Sequence, residues 1–397
     1  TTYSTAFFSL LTSSTFFILL MYFLSPSIGR GLGYENNPEY IYFLAIVIGL
    51  DAFTAIPFAR LRLRNKALSF STIKILGVLL NVGLNFFFLV VAPKYPLFQE
   101  IGVYQPNLGV AYVFISNIAS SVLVTIILLF IPGTIPKTFS FVKLKELFLY
   151  SIPLLISGLG GTTNESMDRI FLKHLLPADK NPLYELGIYG SNVKIAVLMV
   201  LFIQMYRYAA EPFFFSNAGK KDSPEIYANM LKYFTVFSLL IFLGVGLFTD
   251  IFQYLVGSEF REGLSVVPIL LLANLFYGIF FNISIWYKLR NKTWYGIYYT
   301  FAGAALTVTL YFLLIPKIGY YGAAIARLAC YIFMVYICYL GTKKYYPIPY
   351  DIKRILLYIG ASIALFLIGY FVNFNIYIVS LIFRFFLVAL FLMLVLL

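Results

Sequence analysis

The sequence predicts an all-α polytopic membrane protein with about twelve transmembrane helices in two related halves. Of the 397 residues, 61% are hydrophobic and only 11% are charged, whereas soluble globular domains carry roughly 25% charged residues. Apolar runs of about 20 residues recur along the whole chain, and an α-helix needs this length to cross a bilayer. The runs are continuous, so the alternating strands of a membrane barrel are excluded.

Twelve apolar segments are expected to be helices, because each is long enough to span the hydrocarbon and is bounded by a short hydrophilic turn. No stretch has the composition of a separate soluble domain. In chain order, the predicted helices are Thr5–Leu24, Tyr40–Ala59, Phe70–Val91, Gly109–Ile131, Leu147–Ile170, Leu186–Phe215, Tyr227–Phe248, Leu264–Tyr287, Trp294–Ile315, Gly322–Gly341, Ile352–Phe371 and Ile376–Leu397.

The turns between these segments alternate in charge. If the turn Arg60–Lys66 lies in the cytoplasm, the turns on that side carry 16 Lys and Arg, and those on the opposite side carry six. Cytoplasmic loops of membrane proteins are enriched in Lys and Arg, so this asymmetry predicts the orientation. The net charge of +13 follows from the same bias and does not indicate a nucleic-acid partner.

Two stretches of the chain share a layout. Asp51–Lys66 and Asn274–Lys292 each end an apolar run in the tetrapeptide Leu-Arg-Asn-Lys, and each is followed by a second apolar run and then Pro-Lys. The first residues of the stretches lie 223 residues apart, as do Pro93 and Pro316, whereas the tetrapeptides lie 226 apart. The shared layout, rather than the tetrapeptide itself, predicts two related halves.

Eleven charged residues remain in or near the apolar segments. A charge there costs at least about 2.5 kcal/mol, so such residues usually face a protein interior or a water-filled cavity. They are Lys74, Arg169, Lys194, Arg207, Lys232, Arg327 and Arg384, with Asp51, Glu165, Asp168 and Glu211. Lys232 and Arg384 are close enough to helix ends for their head groups to reach the interface.

The stretch Gly158–Lys173 is the least lipid-like part of any predicted helix. Glu165 and Arg169 are four residues apart and share a helix face, and Asp168 lies three residues after Glu165. We expect a hydrated helix that lines a cavity, with Asp168 and Glu165 as candidates for ion coupling. The alternative is a static ion pair between helices.

Lone cations interrupt other apolar helices. Lys194, Arg327 and Lys74, together with Arg169, predict a cavity with a positive interior, which suits a phosphate group. For each cation, the alternative is a salt bridge to an acid on a neighbouring helix.

Three further charged residues have more local interpretations. Asp51 is either a coupling acid or the partner of Lys74, and the sequence does not decide between these roles. Arg207 and Glu211 are four residues apart, just before the helix-breaking Pro212, and are expected to form a structural pair.

Motifs for catalysis are missing from the sequence. No Walker-type phosphate-binding motif and no metal-binding spacing occurs, and one His and two Cys offer little material for a metal centre or a nucleophilic triad. We therefore expect no catalytic residues, no metal and no cofactor.

Five stretches, taken in order, resemble the polysaccharide-export branch of the multidrug/oligosaccharidyl-lipid/polysaccharide flippase superfamily. They are IPFARLRLRNK, YSIPLLISGL, the Asp168-Arg169 pair followed by GIYGSNVKI, RYAAEPFFF, and LIPKIGYYGAAIARL. The resemblance implies two pseudo-symmetric lobes of six helices around a central cavity, often with two more helices, fourteen in all. On that scheme, residues 1–140 are four helices of the N-terminal lobe, whose first two are missing, 141–345 form the C-terminal lobe, and 346–397 are the two additional helices.

The resemblance also implies a function. Such a protein moves an undecaprenyl-pyrophosphate-linked oligosaccharide, such as an O-antigen or capsular repeat unit, across the bacterial cytoplasmic membrane by alternating access. Arg169, Lys194 and Arg327 would face this substrate, and Lys74 joins them from its position in the sequence. The resemblance further implies coupling to a Na⁺ or H⁺ gradient or to the membrane potential, a monomeric protein, and a polysaccharide polymerase and chain-length regulator as partners.

Alternative functions are kept beside this one. A lipid II flippase belongs to the same superfamily. A cation-coupled multidrug exporter would need an acidic or aromatic cavity, and a membrane-embedded glycosyltransferase or polymerase would need long loops outside the membrane, which the sequence does not have.

Overall fold

The computed structural model describes residues 2–32, 37–131, 133–136, 138–177, 181–372, 374 and 376–396. Within the helices, it describes the backbone but not the side chains of residues 32 and 162–166. Every regular element in this part of the chain is helical, which confirms the predicted all-α fold class.

Fifteen α-helices follow one another in the described residues. They are α1 (Thr2–Leu32), α2 (Glu39–Leu63), α3 (Ala67–Phe86), α4 (Leu97–Glu100), α5 (Ala111–Phe130), α6 (Phe141–Leu175), α7 (Pro182–Ser216), α8 (Ser223–Leu247), α9 (Thr249–Phe252), α10 (Val267–Ile283), α11 (Ile285–Leu289), α12 (Trp294–Ile318), α13 (Tyr320–Tyr345), α14 (Ile352–Phe371) and α15 (Tyr377–Leu396). Helix α3 continues through a π-helical turn, Phe87–Val91, and a 3₁₀ turn, Ala92–Lys94. Other 3₁₀ turns are Pro106–Leu108, Gln253–Leu255 and Ser258–Val266.

Eleven spans in the described residues are long and apolar enough to cross a membrane, and each coincides with a predicted segment. The remaining predicted segment lies in α6, whose second half contains the polar stretch noted above. Helices α6 and α7 each contain 35 residues. At 1.5 Å per residue they are about 52 Å long, so they extend well beyond about 30 Å of hydrocarbon.

The chain forms two compact units, Thr1–Leu149 (unit 1) and Tyr150–Leu397 (unit 2). In unit 1, α2 packs against α1, α3 and α5, and a small core forms around Phe58 and Leu128. In unit 2, a larger core is built from α7, α8, α10 and α13 and includes Phe242 and Trp286. The free cysteines Cys330 and Cys338 are buried in this core.

Glycines allow one helix pair in each unit to pack closely. In unit 1, α3 meets α5 at Gly77, where an added Cβ would lie 2.8 Å from Val124 Cγ2. In unit 2, α12 meets α13 at Gly303, where an added Cβ would lie 2.6 Å from Met334 Sδ. Real Cβ atoms essentially never come this close to other atoms, so a side chain at either position would require Val124 or Met334 to move.

The repeated tetrapeptide Leu-Arg-Asn-Lys forms the same helix cap in both units. Asn65 and Asn291 have positive φ angles of 55° and 54°. After α2, the Asn65 N–H donates to the carbonyl of Arg62, and the next N–H donates to the carbonyl of Leu61. The N–H groups of Asn291 and its successor donate to the corresponding carbonyls of α11. This is the Schellman motif with Asn in the left-handed position.

The positions of the two caps show which residues of the two halves are equivalent. Gly77 and Gly303 each lie twelve residues after the cap asparagine of their unit. Fourteen residues before the cap, unit 1 has Asp51 and unit 2 has Tyr277. The equivalent of Asp51 is therefore Tyr277 rather than Asn274, and the tetrapeptide spacing of 226 residues is the one that matches the helix packing.

We predict that replacing either cap asparagine with alanine destabilises the protein. Asn65→Ala and Asn291→Ala should each lower stability by about 1 kcal/mol, because a residue with an ordinary Cβ is disfavoured at positive φ. That corresponds to about 2–4 °C in the unfolding midpoint. The measurement is thermal unfolding of the purified protein in detergent.

Two controls accompany this prediction. Asn65→Gly should keep the midpoint, since glycine adopts positive φ freely. Asn229→Ala, at a position inside α8, should not lower it, because alanine is the better helix former. A midpoint for Asn65→Ala equal to that of Asn65→Gly would contradict the prediction.

Candidate functional site

A polar cavity of about 280 Å³ lies between α2, α3 and α5 of unit 1. Its lining includes the acid and the cation that the sequence singled out in this unit, Asp51 and Lys74. The polar side chains of Asn81, Asn117 and Ser121 also line it. The structure thus brings Asp51 and Lys74 to one place.

Asp51 and Lys74 share the cavity without forming a direct ion pair. The Asp51 carboxylate accepts a hydrogen bond from Ser121 Oγ at 2.9 Å. Lys74 Nζ lies 4.5 Å from the centre of the Phe58 ring, at a distance typical of a cation–π contact. None of the ion pairs within 4.0 Å in the described residues involves Lys74. Both charges therefore remain able to bind a further group.

Side-chain amides form the rest of the polar wall. Asn81 Nδ2 donates to Asn117 Oδ1 at 2.7 Å, and Asn85 Nδ2 donates to Asn81 Oδ1 at 3.1 Å. Ser120 Oγ donates to the carbonyl of Gly77 at 2.7 Å, and this hydrogen bond connects α5 to α3 at the Gly77 contact. The wall offers oxygen atoms that are already oriented by neighbouring hydrogen bonds.

The chemistry and size of the cavity limit what it can hold. A carboxylate, amide oxygens and a hydroxyl are suitable ligands for a hard cation, and the carboxylate can also take up a proton. Sites for drug-sized ligands measure about 300–1,000 Å³. The cavity is therefore suited to an ion or one small charged group and is too small for an entire lipid-linked oligosaccharide.

Aromatic residues occupy the equivalent positions in unit 2. Ser120 lies beside Gly77 in unit 1, and Cys330 lies beside Gly303 in unit 2. The residues that follow them, Ser121 and Tyr331, are therefore equivalent. The Tyr277 and Tyr331 rings lie 5.2 Å apart, in place of the Asp51–Ser121 hydrogen bond. The two halves therefore have the same helix packing but different side chains beside it, polar in unit 1 and aromatic in unit 2.

Unit 2 contains a buried ion pair between α6 and α13. Arg327 Nη1 lies 3.6 Å from Asp168 Oδ2, and the two side chains are 9% and 1% exposed. The same carboxylate oxygen accepts a hydrogen bond from the Tyr189 hydroxyl at 2.6 Å, and Oδ1 accepts one from the backbone N–H of Arg169 at 2.7 Å. Asp168 is thus held by a charge and two hydrogen bonds.

The network continues through Arg327 into α10 and α7. Arg327 Nη2 donates to Asn274 Oδ1 at 3.4 Å, and Asn274 Nδ2 donates to the carbonyl of Ala196 at 3.1 Å. Four helices, α6, α7, α10 and α13, are connected by these contacts. Such a network has the geometry of a structural clasp.

The other predicted residues of unit 2 have different surroundings. Arg327 has the salt bridge that the sequence left open as its alternative role. Arg169 and Lys194 are exposed on α6 and α7. Glu165 lies among the residues whose side chains are not described, so its pairing with Arg169 is outside the described contacts.

Glu211 has a different partner from the one predicted. Its Oε1 accepts a hydrogen bond from Lys288 Nζ at 3.2 Å, and no ion pair joins it to Arg207 in the described residues. Arg207 instead donates to the Tyr277 hydroxyl at 3.3 Å and lies 4.7 Å from the centre of the Phe281 ring. Lys288 lies 4.9 Å from the centre of the same ring, so both cations contact Phe281, and Lys288 alone pairs with Glu211 in the described residues.

The sequence did not single out several of these residues, among them Lys288, Asn117 and Ser121. Lys288 begins a run of basic residues, a pattern typical of a cytoplasmic turn rather than of a buried pair. Asn117 and Ser121 are four residues apart on a largely apolar helix and therefore share a face. A polar stripe on an apolar helix was the available signal.

The family described as polysaccharide biosynthesis protein matches residues 1–262 of the chain. None of the curated proteins matches it.

Solved structures of transporters share its fold. An outward-facing multidrug resistance MATE family transporter of the MOP superfamily matches with a TM-score of 0.70 and 16% identity, over 86% of this chain and 77% of that one. The Vibrio cholerae MATE transporter VcmN in the bent form matches with a TM-score of 0.62 and 13% identity, over 85% and 77%. The lipid II flippase MurJ in an inward closed conformation matches with a TM-score of 0.47 and 13% identity, over 96% of this chain and 82% of that one.

We predict that removing either partner of the Asp168–Arg327 pair destabilises the protein strongly. Arg327→Met leaves a buried carboxylate without its counter-charge, and Asp168→Leu leaves a buried guanidinium. Each should cost about 3–5 kcal/mol, whereas the double variant should cost less than either single one. Thermal unfolding of the four proteins in detergent gives the comparison.

The control for this experiment is the exposed pair Lys143–Glu146, whose side chains are 40% and 57% exposed. Lys143→Met should change the midpoint little, because exposed ion pairs contribute about 0–1 kcal/mol. Single variants of the buried pair that behave like Lys143→Met would show that the pair is not a clasp.

Proposed function

This chain belongs to the family of polysaccharide biosynthesis proteins, and on that premise we propose that it is a flippase for an undecaprenyl-pyrophosphate-linked oligosaccharide. It is a multi-pass membrane protein with the fold of MOP-superfamily transporters, which move solutes and make no bonds. The proposed substrate is an O-antigen, capsular or exopolysaccharide repeat unit. It would cross the bacterial cytoplasmic membrane by alternating access.

The observation that supports this proposal most directly is Lys194. It lies twelve residues, or about 18 Å, from the start of α7, on a membrane-spanning helix. Its side chain is exposed, and the described residues supply no acid within 4.0 Å. An ammonium in hydrocarbon costs at least about 2.5 kcal/mol, so it needs water or an anionic ligand. The pyrophosphate of the lipid carrier is such a ligand.

Arg169 supports the same assignment. It is exposed on α6, one residue after the buried Asp168, whose charge is already compensated by Arg327. Its guanidinium can bind phosphate oxygens through two parallel hydrogen bonds. We assign substrate binding to Arg169 and Lys194, and we assign Arg327 to the clasp.

The cavity of unit 1 supports coupling to an ion gradient. Asp51 lines it beside oriented amide oxygens, and the Asp51 carboxylate accepts a hydrogen bond from Ser121. Asp168 is buried and already paired. We therefore propose Asp51 as the residue that binds Na⁺ or H⁺, with Lys74 as a neighbouring charge that competes with the bound ion. A polymerase and a chain-length regulator would act on the translocated units, and the protein would work as a monomer.

We predict that neutralising the exposed cations blocks export. Lys194→Gln and Arg169→Gln should lower surface polysaccharide at least about tenfold while the protein reaches the membrane at normal levels, since each loses a charge for the pyrophosphate. Surface polysaccharide is measured by immunoblotting and protein by membrane fractionation. Lys221→Gln, in an exposed basic turn, serves as the control.

Normal polysaccharide from the double variant Lys194→Gln/Arg169→Gln would contradict the assignment of these cations. Purified protein in vesicles separates the substrates. Translocation of lipid II in preference to a pyrophosphate-linked oligosaccharide would move the chain to the lipid II flippase alternative.

We predict that Asp51→Asn uncouples transport from the ion gradient. In vesicles, an imposed Na⁺ or H⁺ gradient should accelerate oligosaccharide translocation by the unaltered protein and have at least about tenfold less effect on Asp51→Asn. The amide keeps the hydrogen bond from Ser121 but cannot bind a proton or supply a charge. Lys74→Gln should shift the ion concentration required for half-maximal rate.

Glu146→Gln is the matched control, because Glu146 is an exposed acid outside the cavity. Gradient acceleration that is equal in Asp51→Asn and Glu146→Gln would remove Asp51 from the coupling role.

A further inference from the structure

A second polar pocket, of about 460 Å³, lies in unit 2 at the ends of α8 and α14. Asp250 of α9 and Arg384 of α15 line it, together with Thr249 and Tyr370. Gly369 also lines it, and an added Cβ there would clash with Leu247 Cδ2. The glycine therefore holds α14 close to α8 beside the pocket.

The charges in this pocket form an ion pair with unused capacity. Arg384 Nη1 donates to Asp250 Oδ1 at 2.7 Å, and the side chains are 17% and 27% exposed. Asp250 Oδ2 is buried and has no hydrogen bond within 3.5 Å in the described residues, and the Tyr377 hydroxyl lies beside the same carboxylate. A guanidinium has five N–H donors and a carboxylate about four acceptor sites. One bond between them leaves N–H donors on Arg384 and acceptor capacity on Asp250 Oδ1, and both residues line the pocket.

The location of the pocket limits which ligands reach it. It lies at the end of α8 opposite the basic turn at Lys220 and Lys221, which the charge asymmetry assigns to the cytoplasm. Exposed aromatic side chains lie at the same end, as in the aromatic belt of a membrane–water interface. They are Tyr254, Tyr370, Phe371 and Tyr377. Phospholipid headgroups of the outer leaflet are the most concentrated polar molecules at this depth.

We propose that this pocket binds the headgroup of an ethanolamine phospholipid. The phosphate accepts hydrogen bonds from Arg384, and the terminal ammonium donates to Asp250. The headgroup is neutral overall and carries one charge of each sign, as the pocket does. The volume lies within the range of about 300–1,000 Å³ for small-molecule sites, and this accommodates a headgroup.

Other phospholipid headgroups match the pocket less well. A glycerol headgroup brings the phosphate and hydroxyl donors but no cation, so it keeps a net negative charge, which Asp250 repels. A choline headgroup brings a cation without N–H groups, so it cannot donate to the carboxylate. The Asp250–Arg384 pair therefore favours a headgroup whose ammonium has N–H donors. This proposal goes beyond the flippase function and does not depend on which substrate is moved.

The experiment measures binding of defined lipids to the full-length chain in detergent. Phosphatidylethanolamine, its mono- and dimethylated forms, phosphatidylcholine and phosphatidylglycerol are added singly, and bound lipid is counted by native mass spectrometry. The unaltered protein should bind phosphatidylethanolamine at least about tenfold more tightly than phosphatidylcholine, with affinity falling at each added methyl group, because each methyl removes an N–H donor. This series requires no change to the protein.

Two variants assign the binding to the pocket. Asp250→Asn should abolish the preference for phosphatidylethanolamine over phosphatidylcholine, and Arg384→Gln should weaken binding of both lipids at least about tenfold, because it removes the charge that faces the phosphate. Asp351→Asn, in the exposed Asp351–Arg354 pair of α14, should keep the preference. Equal affinity for all five lipids, tighter binding of phosphatidylglycerol, or an unchanged preference in Asp250→Asn would each overturn the proposal.

Discussion

A charge on a helix that crosses hydrocarbon must be compensated, and the arrangement of unit 2 follows from how this is done for Asp168. The acid on α6 is paired with Arg327 on α13 and accepts the hydroxyl of Tyr189 on α7. Arg327 in turn donates to Asn274 on α10. Losing one partner of a buried pair costs about 3–5 kcal/mol, so these helices are held in one arrangement.

The two halves of the chain use one scaffold for two kinds of polar centre. Each has a helix that ends in an Asn-capped Schellman motif, followed twelve residues later by a glycine contact between helices. Unit 1 then has Asp51 and Ser121 beside a cavity, whereas unit 2 has two tyrosine rings at the equivalent positions. In unit 1 Asp51 lines a cavity, whereas in unit 2 the Asp168–Arg327 ion pair is buried. This difference supports assigning ion binding to unit 1 and mechanical rigidity to the clasp.

Charges in this protein can be ordered by how much of their bonding capacity is used. Asp168 and Arg327 are buried and paired with each other, so their role is to hold helices together. Asp250 and Arg384 are paired but keep unused donors and acceptors, and that capacity motivates the lipid site. Lys194 is exposed without an acid within 4.0 Å among the described residues, and it motivates the assignment to substrate. The Asp250–Arg384 pair and Lys194 therefore have bonding capacity that a ligand can use.

The sequence by itself determined the fold class, the order of the helices and the repeated layout. Length and hydrophobicity of a segment are local properties, and crossing a bilayer depends on little else. The role of the tetrapeptide Leu-Arg-Asn-Lys as a helix cap could not be read from the sequence, because it depends on the positive φ angles of Asn65 and Asn291.

Only the tertiary structure decided which charges meet. The four-residue spacing of Arg207 and Glu211 predicted a pair within one helix, yet Glu211 binds Lys288, 77 residues away. Asp168 and Arg327 are 159 residues apart, and spacing along the chain carries no information about such contacts. Close packing at glycines such as Gly77 and Gly303 brings helices together, and a charge pairs with a group that the neighbouring helix presents at the same depth.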